Sequence, residues 1–151
     1  MGERSKGRAK PDDAVPAQQL PADELAACCP DLEQWPKSWM YEERDLSSGQ
    51  RMVDCFKPFL RHLLDLNPSH KTFRKHRDNL WLLGGEIVSH LHETPGLRNR
   101  PIKQIVLAAL DEEGGPFIAH KASEDQQRSF DSTCRKLYRF LKPKEGACRQ
   151  P

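Results

Sequence analysis

Residues 69–91, SHKTFRKHRDNLWLLGGEIVSHL, constrain the fold more than any other stretch of the chain. Taking about 100° per residue, Phe73, Leu80, Leu83, Gly84, Ile87, Val88 and Leu91 fall on one face of a helix. Trp81 and Leu82 carry the apolar surface almost all the way round, which predicts a central helix that others must surround. The first two turns hold Lys71, Arg74, Lys75 and Arg77, with no acid until Asp78. A helix that is basic at its start and apolar afterwards can sit in a core while presenting cations to a polyanion. Ser69 is the expected N-cap, with Thr72 three residues on. Gly84-Gly85 lowers helix propensity by about 1 kcal/mol per glycine relative to Ala, so the pair predicts a close helix–helix approach or a bend.

The flanking segments repeat the helical period. In 48–66, Met52, Phe56, Phe59, Leu63 and Leu66 form one face, interrupted by Pro58, where a kink or a restart at Lys57 is expected. Pro101 suits the first turn of a third helix with Ile102, Ile105, Val106, Ala109 and Leu110 as its buried stripe. Ser123 and Gln126 make a capping box for a fourth, running to about Leu141, with Phe130, Cys134, Leu137, Tyr138 and Leu141 inward. No run shows strand alternation longer than about four residues. The expected fold is all-α, a four-helix bundle over 47–142 in which Leu80, Leu83, Ile87 and Leu137 are nearly fully buried.

The 151 residues suit one domain of ordinary size. Residues 1–20 have the polar, Pro-containing composition of a disordered tail, and 143–151 read as a second one. Residues 21–46 form an arm with a short helix and the cluster Trp35, Pro36, Trp39, Met40, Tyr41, expected to dock on the bundle. No stretch reaches the roughly 18 apolar residues of a membrane span, and no signal-peptide core is present, so a cytoplasmic location is expected. The five cysteines are odd in number and lack paired spacing, which favours reduced thiols.

Motifs for catalysis are missing: there is no G-x-S-x-G, P-loop or H-E-x-x-H, and Cys134 lies on an inner helical face. The histidines lack ligand spacing, and Cys28-Cys29 is adjacent rather than C-x-x-C, so neither a metal nor another cofactor is expected. What remains is charge. In the fourth helix Arg128, Arg135, Arg139 and Lys142 recur at i, i+7, i+11 and i+14, flanked by Lys136, with only Asp131 close by. The bland reading of such a stripe is an ordinary solvated face. Two acid-poor stripes on two helices can also track a phosphate backbone, each neutralised phosphate releasing counterions. The rival from another class is a helical adaptor that meets a protein partner, or a second copy of itself, through a patch containing Trp35, Trp39, Trp81 and Leu82.

The run Asn67-Pro-Ser-His-Lys-Thr-Phe-Arg-Lys-His-Arg-Asp-Asn-Leu-Trp-Leu-Leu resembles the second-helix start of the N-terminal core-binding domain of tyrosine recombinases and phage integrases. Phe130-Asp-Ser-Thr-Cys-Arg-Lys-Leu-Tyr-Arg-Phe-Leu resembles that domain's last helix. The resemblance covers roughly 47–142 and implies a SAM-like four-helix bundle that clamps duplex DNA. It would put Lys71, Thr72, Arg74, Lys75 and Arg77 near the DNA, with Arg135 and Arg139 from the last helix. Gly84-Gly85 and the 111–116 segment depart from the family's pattern, and the catalytic domain has no counterpart in this sequence. The resulting expectation is a non-catalytic duplex-DNA-binding module, associated with a mobile element.

Overall fold

The computed structural model describes residues 20–118 and 123–142. The expected disordered tails, 1–20 apart from Leu20 itself and 143–151, lie outside those residues. The chain divides into two units, Met1–Asp31 and Leu32–Pro151. In the first, α1 (Leu20–Cys28) is closed at its end by the Cys29 amide on the Leu25 carbonyl, at 2.8 Å.

The second unit carries α2 (Trp35–Trp39), α3 (Asp45–Asp65), α4 (His70–Glu93), α5 (Ile102–Ala108) and α6 (Glu124–Leu141). Among the described residues there is no strand, only an isolated bridge between Asp111 and Gly114. The fold is therefore all-α, as the hydrophobic periodicity predicts. Leu80, Leu83 and Leu137 are wholly enclosed and Ile87 almost so, together with Met52, Phe56, Leu60, Val106 and Phe130.

Local chemistry sets the ends of the long helices. Ser69 Oγ accepts the Thr72 amide at 3.1 Å and starts α4, and Ser123 with Gln126 closes a full capping box on α6. α3 begins earlier than expected because Asp45, not a cap residue before it, takes the Tyr41 and Glu42 amides on Oδ2. It also runs through Pro58 as one helix rather than restarting at Lys57; Asp54 and Pro58 are both exposed, so the Asp54 carbonyl that loses its N–H partner is not stranded inside the core.

Two expectations need correction. The third helix is only seven residues long, and of its predicted stripe only Val106 and Leu110 are buried. Ile105 and Ala109 instead line a cavity of about 390 Å³ with Ile87, Leu97 and Pro116. Periodicity marks a face as apolar but cannot say that a neighbour covers it. The second correction concerns the arm. Trp35 and Trp39 are interior, not surface, so they cannot form the adaptor patch; of that set only Trp81, 40 % exposed, and the half-buried Leu82 reach solvent.

The Trp39 seat explains the double glycine. Its indole N–H donates to the Trp81 carbonyl at 2.9 Å, and the ring lies over α4. A Cβ added at Gly84 would stand 2.7 Å from Trp39 Cε2 and as close or closer to two other ring atoms, whereas one at Gly85 would make an ordinary 3.4 Å contact with Cδ1. The Trp81 indole in turn donates to Ser38 Oγ, so α2 is pinned to α4 from both sides.

The adjacent glycines should therefore respond in opposite ways. Gly84→Ala should lower unfolding free energy by about 1–3 kcal/mol through overpacking. Gly85→Ala should leave it unchanged or raise it by up to about 1 kcal/mol through helix propensity. Urea denaturation measures both, and equal effects at the two positions would contradict the seat.

Candidate nucleic-acid interface

The basic segments of α4 and α6 are held together by a seam of buried polar groups. His76 is only 3 % exposed, and its Nδ1 lies 2.6 Å from Thr133 Oγ1. Asn79 Nδ2 donates to that same hydroxyl at 2.9 Å and to the Ser129 carbonyl and hydroxyl at 3.1 Å. The later residue on α4 reaches the earlier one on α6, so the two helices run antiparallel here. Thr133 accepts from Asn79, and we assign its own proton to His76 Nδ1, which puts the ring proton on Nε2.

Burial, then the nearby Lys75 and Lys136 ammonium groups, push the His76 pKa down to about 4. The ring is neutral at physiological pH. The seam also sets two exposed cations on the helices it joins: Lys75 precedes His76 on α4, and Lys136 follows Thr133 by three residues on α6. The start of α4 and the second half of α6 thus bring positive charge to a common edge. Lys136 continues into a groove of about 270 Å³ that Arg139, His62 and Phe140 also line.

The other predicted residues are distributed differently. Lys71 and Arg74 are exposed on the outer face of α4, the side where Trp81 follows Arg74 at i+7. Thr72 is occupied with the cap, its hydroxyl 3.0 Å from Ser69 Oγ. Arg77 is bonded to Asp78 at 3.1 Å. Arg128 pairs with Asp125, Lys142 lies 3.9 Å from Glu112 and 5.5 Å from the Tyr138 ring centroid, and Arg135 donates to the Glu113 carbonyl at 3.1 Å. The stripe of α6 therefore splits. Lys136 and Arg139 face the α3–α4 side, while Arg135 and Lys142 turn to the acidic 111–113 turn.

That turn is tied to α6. Asp131 Oδ1 accepts the Gly115 amide at 3.1 Å, and Gln127 accepts the Ile118 amide and donates to the Pro116 carbonyl. Gly114, at φ +152°, adopts a backbone that disfavours a side chain, and a Cβ there would also strike Asp131.

Two groups escaped the sequence reading. One is the His76–Asn79–Thr133 seam; its signal is polar residues on otherwise apolar helical faces. The other is Asp45, whose side chain is 1 % exposed and accepts from Arg98 at 3.0 Å and His92 at 3.1 Å. Burial alone would raise the Asp45 carboxyl, but the Tyr41 and Glu42 amides with the His92 and Arg98 charges outweigh it and hold the carboxyl below its usual range. Arg51 donates to the Arg98 and Arg100 carbonyls and locks the same corner.

Neither cysteine of the bundle with a shifted pKa is primed for nucleophilic chemistry. Burial raises the Cys55 thiol, and burial with Asp131 and Asp111 raises Cys134 further. Among the described residues no group of three or more His, Cys, Asp or Glu is placed to hold a metal. Likewise, no described helix is long and apolar enough to cross a membrane. No family model, curated protein or solved structure matches the chain.

His76 should leave a pH signature. Unfolded, it takes up a proton near pH 6.5; folded, only near pH 4, so between these values the unfolded state binds more protons. Its contribution is complete above about pH 6.5 and is lost as pH falls toward 4, at no more than about 1.4 kcal/mol per pH unit. Denaturation from pH 7 to 4.5 should show that slope flattened in His76→Gln. An unchanged slope would mean that His76 titrates normally.

Proposed function

We propose that this protein is a non-catalytic DNA-binding module that holds phosphates along the edge where α4 begins and α6 ends. The observation that carries the reading is Lys136 and Arg139 lining one groove beside α3, while the His76–Thr133 bond seats the start of α4, with its exposed Lys75, against the same half of α6. Lys71 and Arg74 extend the positive region over the outer face of α4. None of these five has an ion pair with a described residue, so their charge is available to an anion. The likeness of 67–83 to the core-binding domain of tyrosine recombinases points the same way.

The remaining candidates contribute less. Exposed ion pairs stabilise a fold by only about 0–1 kcal/mol. A carboxylate beside a cation nevertheless cancels the field a phosphate would feel, and this weakens Arg128, Arg77 and Lys142 as anchors. The adaptor reading keeps Trp81 and Phe117 as exposed aromatics, the latter 73 % exposed, but loses Trp35 and Trp39 to the interior.

Gel shift at about 50 mM salt tests the proposal, since phosphate contacts are strongest there. Charge reversal of Lys136 with Arg139 should weaken binding at least tenfold and reduce the salt slope by about 2, whereas Arg128→Glu should cost less than about threefold. Absence of retardation of any DNA, or equal effects of the two substitutions, would overturn the assignment.

A further inference from the structure

We propose that the groove beside Lys136 and Arg139 seats an unpaired nucleobase, so that the protein prefers single-stranded DNA to duplex; this rests on the phosphate-binding reading and extends it. The groove lies between the last turns of α3 and the second half of α6. Its aromatic wall is built around Phe140, whose ring centroid is 5.5 Å from Phe59 and 5.2 Å from His62, the latter pair at an interplanar angle of 34°. Phe59 is fully buried and closes the inner side, while Phe140 is half-buried and His62 is exposed. Leu66, 65 % exposed, adds an apolar lip.

Phosphates would use the cations of the groove but not its aromatic side, where Phe140 and His62 stand beside the buried Phe59. A base presents a π-face that stacks on such rings irrespective of its identity. In duplex DNA both faces of each base are already stacked on neighbours, so only an unpaired or extruded base can enter. The volume, about 270 Å³, is just below the roughly 300–1,000 Å³ of drug-sized sites, which suits one ring system rather than a base pair. Lys136 and Arg139 line the same groove, where they can neutralise the phosphates flanking a seated base.

Fluorescence anisotropy with the full chain separates this from plain phosphate binding. Three probes of equal length are compared at low salt: a single-stranded oligothymidine, its duplex with oligoadenosine, and an abasic strand of the same charge as the oligothymidine. The oligothymidine should bind more tightly than the abasic strand by roughly 5- to 150-fold for one stacked base, and more tightly than the duplex. His62→Ala and Phe140→Leu should each erode the gap to the abasic strand while leaving abasic binding unchanged. His62 is exposed, so its variant keeps the test informative if the Phe140 substitution unfolds the bundle. Equal affinity for base-bearing and abasic strands, or tighter binding of the duplex, overturns the base seat and leaves the phosphate edge standing. Failure of every probe to bind overturns both.

Discussion

The antiparallel packing of α4 on α6 determines where every charge of the proposed interface can stand. That packing is fixed by more than apolar area, which would tolerate sliding by a helical turn. Thr133 satisfies His76 Nδ1 and accepts from Asn79 at once, and Asn79 Nδ2 also donates to Ser129. Shifting either helix would leave buried polar atoms without partners, at about 1–3 kcal/mol for each. The seam therefore acts as a register key, setting His76 against Thr133 and Asn79 against Ser129.

The same seam keeps positive charge on the surface rather than inside. A protonated His76 would be a buried cation with Lys75 and Lys136 nearby, and neutrality removes that conflict. On the far side of α6, Arg135 and Lys142 meet the 111–113 turn, so the helix divides its cations between a structural edge and an open one. The Asp45 corner performs the complementary task. It concentrates Arg98 and His92 on one buried carboxylate and so ties the connection after α4 to the start of α3.

Much of the fold was legible in the sequence because three long helices, α3, α4 and α6, carry apolar residues at helical spacing and strong start signals at Ser69 and Ser123. α5 was less legible: Ile102, Ile105 and Ala109 look like core, yet burial depends on a neighbour that periodicity does not reveal. The two halves of the Trp39 seat are each visible, an aromatic in 35–41 and a double glycine in α4, but their pairing spans 45 residues and only the fold joins them. The basic residues were legible as types and not as directions. Lys136, a flank of the α6 stripe by sequence, lines the groove with Arg139, whereas Arg128 and Lys142 have acidic neighbours from their own helix and from the turn. Metal-ligand spacing does not reveal His76, whose partner is the Thr133 hydroxyl rather than another ligand.

Amide chemical-shift mapping during titration with a short DNA strand tests the central claim most directly, because it reports the contact surface without any substitution. The account predicts that perturbations concentrate at 71–76, at 132–140 and at 62–66, and weaken together as salt is added. Perturbations centred instead on Trp81 and α2, on Phe117, or spread evenly over the surface would contradict it.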